Sequence, residues 1–82
     1  MDIHRTSRRQ EADLRHAVEH AIYAGDLEDG GPLRVLYLGP DRAGNLLEVV
    51  VIERDDGSEL AIHAMKMRRR YRQLITEARP DE

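Results

Sequence analysis

An 82-residue chain with 40% hydrophobic and 35% charged residues has room for one domain with one modest core, and its only aromatic residues are three tyrosines, so that core is aliphatic. The absence of cysteine excludes disulfides and thiolate metal centres, and no apolar run approaches the ~20 residues of a membrane span. The formal net charge of −3 conceals a gradient. Four arginines balance four acids in residues 1–20, three face nine acids in residues 21–62, and six Lys/Arg face three acids in residues 63–82. With no hydrophobic leader in MDIHRTSRRQ, the expectation is a soluble cytoplasmic protein.

Residues 1–6 read as a frayed lead-in. Ser7 and Gln10 fit a capping box that opens a helix. Leu14, Ala17, Val18, Ala21 and Ile22 then form one apolar stripe, and Gly25 is placed to end the helix in a left-handed conformation. The opposite face carries Arg9, Asp13, His16, His20 and Tyr23. His16 and His20 are four apart, a spacing that lets two imidazoles share a metal. No glutamate follows His16 and no further ligand lies nearby, so the expectation is no metal, no cofactor, and two histidines facing solvent or a partner.

Residues 26–32, DLEDGGP, read as a loop. Residues 33–39 read as a strand, with Leu33, Val35 and Tyr37 on one face and Arg34, Leu36 and Leu38 on the other. The turn GPDRAG leads into LLEVVVI, whose three consecutive valines suit a central strand covered on both faces. Asp56-Gly57 supplies a tight turn, and residues 59–65 return as a short strand containing His63. Met67, Tyr71, Leu74, Ile75 and Ala78 mark a C-terminal amphipathic helix, and RPDE is a tail. The expected fold is a single α+β domain: helix, three-stranded antiparallel meander, helix. Its core should hold Leu47, Val49, Val51 and Ile62 with Leu14, Val18 and Ile22.

A histidine on the last strand and a basic run behind it point to one end of the sheet. As an imidazole, His63 can act as acid or base; Glu48, on the adjoining strand, can orient or protonate it. Arg68, Arg70 and Lys66 can hold phosphates. Together with Arg69 and Arg72 they fall on the polar side of the C-terminal helix, where replacement should change stability little. Tyr71 lies on the apolar stripe, with its hydroxyl in reach of the same edge. Plainer readings stand beside these. His63 can be a hydrogen-bonded core residue on a face with Ala61 and Met65, Glu48 can pair with Arg34 or Arg42, and the arginine run can grip an acidic protein.

LYLGPDRAGNLLEVVVI followed by AIHAMKMRRRY resembles the BrnT-like toxins of the RelE-like superfamily over residues 33–74, and HAVEHAIY is similar to the family's helix. The resemblance implies helices packed on an antiparallel sheet, metal-independent cleavage of RNA and neutralisation by a cognate antitoxin. Relatives often carry prolines where this chain has Lys66 and Arg69, so the segment after Met65 is expected to turn helical at once. BrnT itself has an arginine-containing motif where this chain reads Ile62-His63-Ala64-Met65. The catalytic assignments (His63, Glu48, Arg68, Tyr71) and the substrate-binding ones (Lys66, Arg69, Arg70, Arg72) therefore rest on the residues themselves. The expected function is a toxin-type endoribonuclease. The alternatives are a non-catalytic interaction module or degenerate toxin, and nucleic-acid binding without cleavage.

Overall fold

A computed structural model describes residues 1–3, 7–27 and 33–78. The capping box is formed as the sequence indicates: the Ser7 Oγ accepts from the Gln10 N–H at 3.1 Å and the Gln10 side chain accepts from the Ser7 N–H at 3.1 Å. Helix α1 runs over Arg8–Glu19. It stops well before Gly25, which corrects the expected helix end. His20 caps it, because its N–H and its Nδ1 both reach the His16 carbonyl, at 2.9 and 3.0 Å.

Beyond the helix cap the chain becomes a strand. Tyr23–Leu27 is β2, paired antiparallel along its whole length with β3, Arg34–Pro40. Its alternating burial turns Tyr23, Gly25 and Leu27 inward. The acidic-loop reading of residues 26–32 fails for Asp26 and Leu27, and 28–32 lie outside the described residues. β4 is Leu46–Glu53 and β5 is Glu59–Lys66. The lead-in holds a short strand: β1, Asp2–Ile3, pairs parallel with β5 at Leu60 and Ala61, and residues 4–6 lie outside the described residues. The sheet order is β1-β5-β4-β3-β2, so the expected three-stranded meander is the centre of a five-stranded sheet.

The basic run does not become helical after Met65. β5 continues through Lys66, and the Met67 N–H still bonds the Leu46 carbonyl at 2.9 Å. Arg68 is extended, Arg69–Tyr71 form one 3-10 turn, and α2 covers Arg72–Ala78. Residues 79–82, read as a tail, lie outside the described residues. No helix among the described residues is long and apolar enough to cross a membrane.

The three valines of β4 separate two cores. On one face Val49, Val51 and Ala61 pack with Leu14 and Ala17 of α1, supported by Met1, Ile3, Val18, Tyr37 and Leu47. On the other Leu36, Leu38 and Val50 pack with Tyr23, Leu27, Met67, Tyr71, Leu74 and Ile75. Val18, Ile22 and Leu47 are only half-buried. Ala78 is exposed, so the α2 stripe ends at Ile75. Ile62, expected inside, is 40% exposed, because β5 is irregular there. Val51 pairs Ala61 while Val50 pairs His63, leaving Ile62 as the extra residue of a bulge.

Gly39 sets the spacing of α1 on the sheet. A Cβ there would run into the Ala17 carbonyl oxygen and the Ala21 Cα, both backbone atoms that cannot swing aside. Gly39→Ala should push the end of α1 off β3 and cost about 1–3 kcal/mol, the usual range for overpacking. Chemical denaturation of that variant checks this.

The turn GPDRAG ties the two layers together. Asp41 Oδ1 accepts from the Ala43 and Asn45 N–H groups at 3.0 and 2.8 Å, and Gly44 takes φ 92°. Arg42 reaches α1, where its Nε and its backbone N–H donate to Asp13 Oδ1 at 2.8 and 3.2 Å. The Arg42 bonds hold the Asp13 carboxyl below its ordinary range. Arg42 is thus committed to Asp13, not to Glu48.

Candidate functional site

Glu48 occupies the middle of the sheet. On β4 it lies between Leu38 of β3 and Met65 of β5, two residues from Val50, and it is fully buried. A carboxylate in such a place needs partners for both oxygens. Arg68 supplies most of them. Its backbone N–H donates to Oε2 at 2.9 Å, its Nε lies 3.1 Å from each oxygen, and a terminal guanidinium nitrogen donates to Oε1 at 2.8 Å. His63 Nε2 is 3.0 Å from Oε1. Burial pushes the Glu48 carboxyl up, but the bonds from the Arg68 side chain, the Arg68 N–H and His63 overcome that and hold it below its ordinary value. The Arg68 guanidinium is correspondingly pushed up by its bond to Glu48.

The bulge at Ile62 decides where His63 points. Simple alternation would put His63 on the face of Ala61. The extra residue shifts the phase, so His63 shares the Glu48 and Val50 face while Ala61 faces α1. His63 keeps 38% of its side chain exposed and Arg68 keeps 43%, whereas Glu48 keeps 1%. The cluster therefore has a buried anion and two accessible basic groups.

Because an ionised carboxylate only accepts, the shared hydrogen sits on His63 Nε2. In the neutral ring Nδ1 then carries the lone pair. That is the tautomer a general base requires, with Glu48 setting it. Tyr71 lies beside the cluster, its ring 5.7 Å from the Arg68 guanidinium carbon and 5.5 Å from that of Arg70. Its ring belongs to the α2 core.

The structure thus brings His63, Glu48, Arg68 and Tyr71 together. It distributes the substrate-binding candidates differently from one polar helix side. Lys66 is the last residue of β5 and, in register with Leu47, lies on the sheet face opposite His63. Arg69 and Arg70 are in the 3-10 turn and Arg72 opens α2; all four are exposed. Arg68 is not a freely replaceable surface residue, since it is the main partner of a buried charge. The direct Arg68 N–H to Glu48 bond leaves no mark in the sequence, because it depends on the chain staying extended at Arg68.

No family model, curated protein or solved structure matches this chain.

Proposed function

We propose that the chain is a toxin-type endoribonuclease that cleaves RNA without a metal, with a cognate antitoxin as its protein partner. The observation that supports this best is the His63–Glu48 contact at 3.0 Å, which pairs an accessible imidazole with a buried, ionised carboxylate. His63 Nδ1 takes the proton of the ribose 2′-OH. The 2′-oxygen attacks phosphorus, the P–O5′ bond breaks, and the departing 5′-oxygen takes a proton from solvent water, leaving a cyclic phosphate. Glu48 positions His63 and, being held ionised, does not itself deliver a proton. The part of Arg68 not committed to Glu48 faces the developing charge. Arg69, Arg70 and Arg72 track the RNA backbone along the turn and α2.

Induced expression should arrest growth and fragment cellular RNA, and His63→Ala should relieve both while keeping the fold. Loss of one phosphate-contacting arginine should also weaken RNA binding and flatten its salt dependence by about 0.7 in log–log slope. Arg72→Ala measured over a salt series checks that. Unchanged affinity and slope would remove this end of α2 from the RNA surface.

One observation favours the non-catalytic reading. Arg68 directs its N–H, its Nε and a terminal nitrogen to Glu48, as a lock between sheet and C-terminal segment would. In that case the remaining arginines meet an acidic protein, and wild-type protein leaves RNA intact while still binding that partner.

A further inference from the structure

We propose that Met65 is the platform for one nucleobase of the RNA, that of the nucleotide whose 2′-OH attacks, and that it favours a purine there. This rests on the RNA reading above and adds the residue that selects the nucleotide at the cut.

Met65 pairs with Glu48 as His63 pairs with Val50, so both β5 residues belong to the sheet face that holds the Glu48 carboxylate. The core beneath α2 is built from β2, β3, Val50 of β4 and the chain after β5, and no β5 residue belongs to it among the described residues. The β5 side of this face is therefore open beside α2. Met65 is 41% exposed there. Arg68, held by Glu48, keeps an accessible guanidinium next to it in the same cluster. Same-face neighbours on a strand are about 6.6 Å apart, a gap that one nucleotide bridges from Met65 to His63. Of the other large apolar side chains left exposed, Ile62 is the bulge residue and Leu33 precedes β3 at the opposite end of the sheet.

A thioether makes favourable contact with an aromatic ring, and every nucleobase offers such a face. Its sulfur is only a weak acceptor, so it does not read the hydrogen-bonding edges of the base. It discriminates by contact area, which ranks purines above pyrimidines. With the base on Met65, the ribose 2′-OH meets His63 Nδ1 and the 3′-phosphate meets the free part of Arg68. An apolar side chain of a protein could cover the same ledge, but it would bring no phosphate to the arginine.

The test uses the whole chain and short unstructured RNAs that differ only 5′ of the cut: adenine, guanine, uracil, cytosine or no base. Wild type should show its lowest KM with purines and its highest with the abasic RNA. Met65→Ala, at an exposed position, should keep its melting temperature and its kcat, and raise KM for purine RNAs about three- to tenfold. The same variant should cut the abasic RNA as wild type does, because the lost contact is already missing from that substrate. Met65→Leu should recover most of the loss, and Leu33→Ala should behave as wild type. The pH profile of kcat should be the same in every variant, since His63 and Glu48 are untouched. Equal KM of wild type for purine and abasic RNA, or a folded Met65→Ala with wild-type KM and base preference, would overturn the platform and leave the RNA reading standing. Wild type that leaves every RNA intact would overturn both.

Discussion

Glu48→Ala should melt about 10–20 °C below wild type, from the loss of charge-assisted bonds worth about 1.5–3 kcal/mol in a domain of this size. The reason is architectural. Glu48 ties the centre of the sheet to the start of the C-terminal segment, through bonds to the Arg68 N–H and guanidinium. Removing it frees Arg68 and His63, but both are partly exposed and recover water. Arg68→Ala should be worse than Glu48→Ala, because it strips the guanidinium from a carboxylate that stays buried, leaving it only the residue-68 backbone N–H and His63. This order separates a buried anchor from a surface ion pair.

The same group sets an acid limit. The Glu48 carboxyl is held below its ordinary value of 4.5, so the folded state takes up its proton later than the unfolded state does. Its stabilisation is complete above the unfolded value and drains away as pH falls through the folded one. Wild type should therefore lose stability more steeply below 4.5 than Glu48→Gln. Denaturation midpoints of the two proteins across that range check the sign.

Val49→Asp should abolish folding. Val49 is fully buried in the α1 core among Leu14, Ala17, Val51 and Ala61, apolar groups that cannot pair with the new charge. The penalty of several kcal/mol rivals the whole stability of a small domain, about 5–15 kcal/mol. Ile62→Asp is the contrast: its side chain sits on the bulge and is 40% exposed, so the domain should fold cooperatively with little change. Far-UV circular dichroism and urea titration distinguish the two.

The difference between these positions is not legible in the sequence. Alternation places Ile62 inward, and only a bulge, which composition does not announce, turns it out and moves His63 to the Glu48 face. The capping box, the β4 valines and the two glycine turns are legible, because each is a local rule satisfied by adjacent residues. β2 escapes a sequence reading because Ala21 and Ile22 extend the helical stripe, while Gly25 and Asp26 are poor strand formers held by pairing with β3. β1 escapes it because two residues carry no period; its place comes from Leu60 and Ala61. In the candidate site, the nearness of His63 and Glu48 is legible from their places on adjoining strands, but their shared face is not, since it depends on the bulge. The Arg68 anchor is not, since the basic run reads as helix and the chain stays extended there.

The central claim is that His63, set by Glu48, performs the chemistry on RNA. The most direct measurement is incubation of purified wild type and His63→Ala with a defined RNA in chelator, with melting curves beside it. The account predicts cleavage by wild type that leaves cyclic-phosphate ends, and a folded His63→Ala that binds the RNA but leaves it intact. Equal cleavage by the two proteins, or none by folded wild type that still binds RNA, would contradict it.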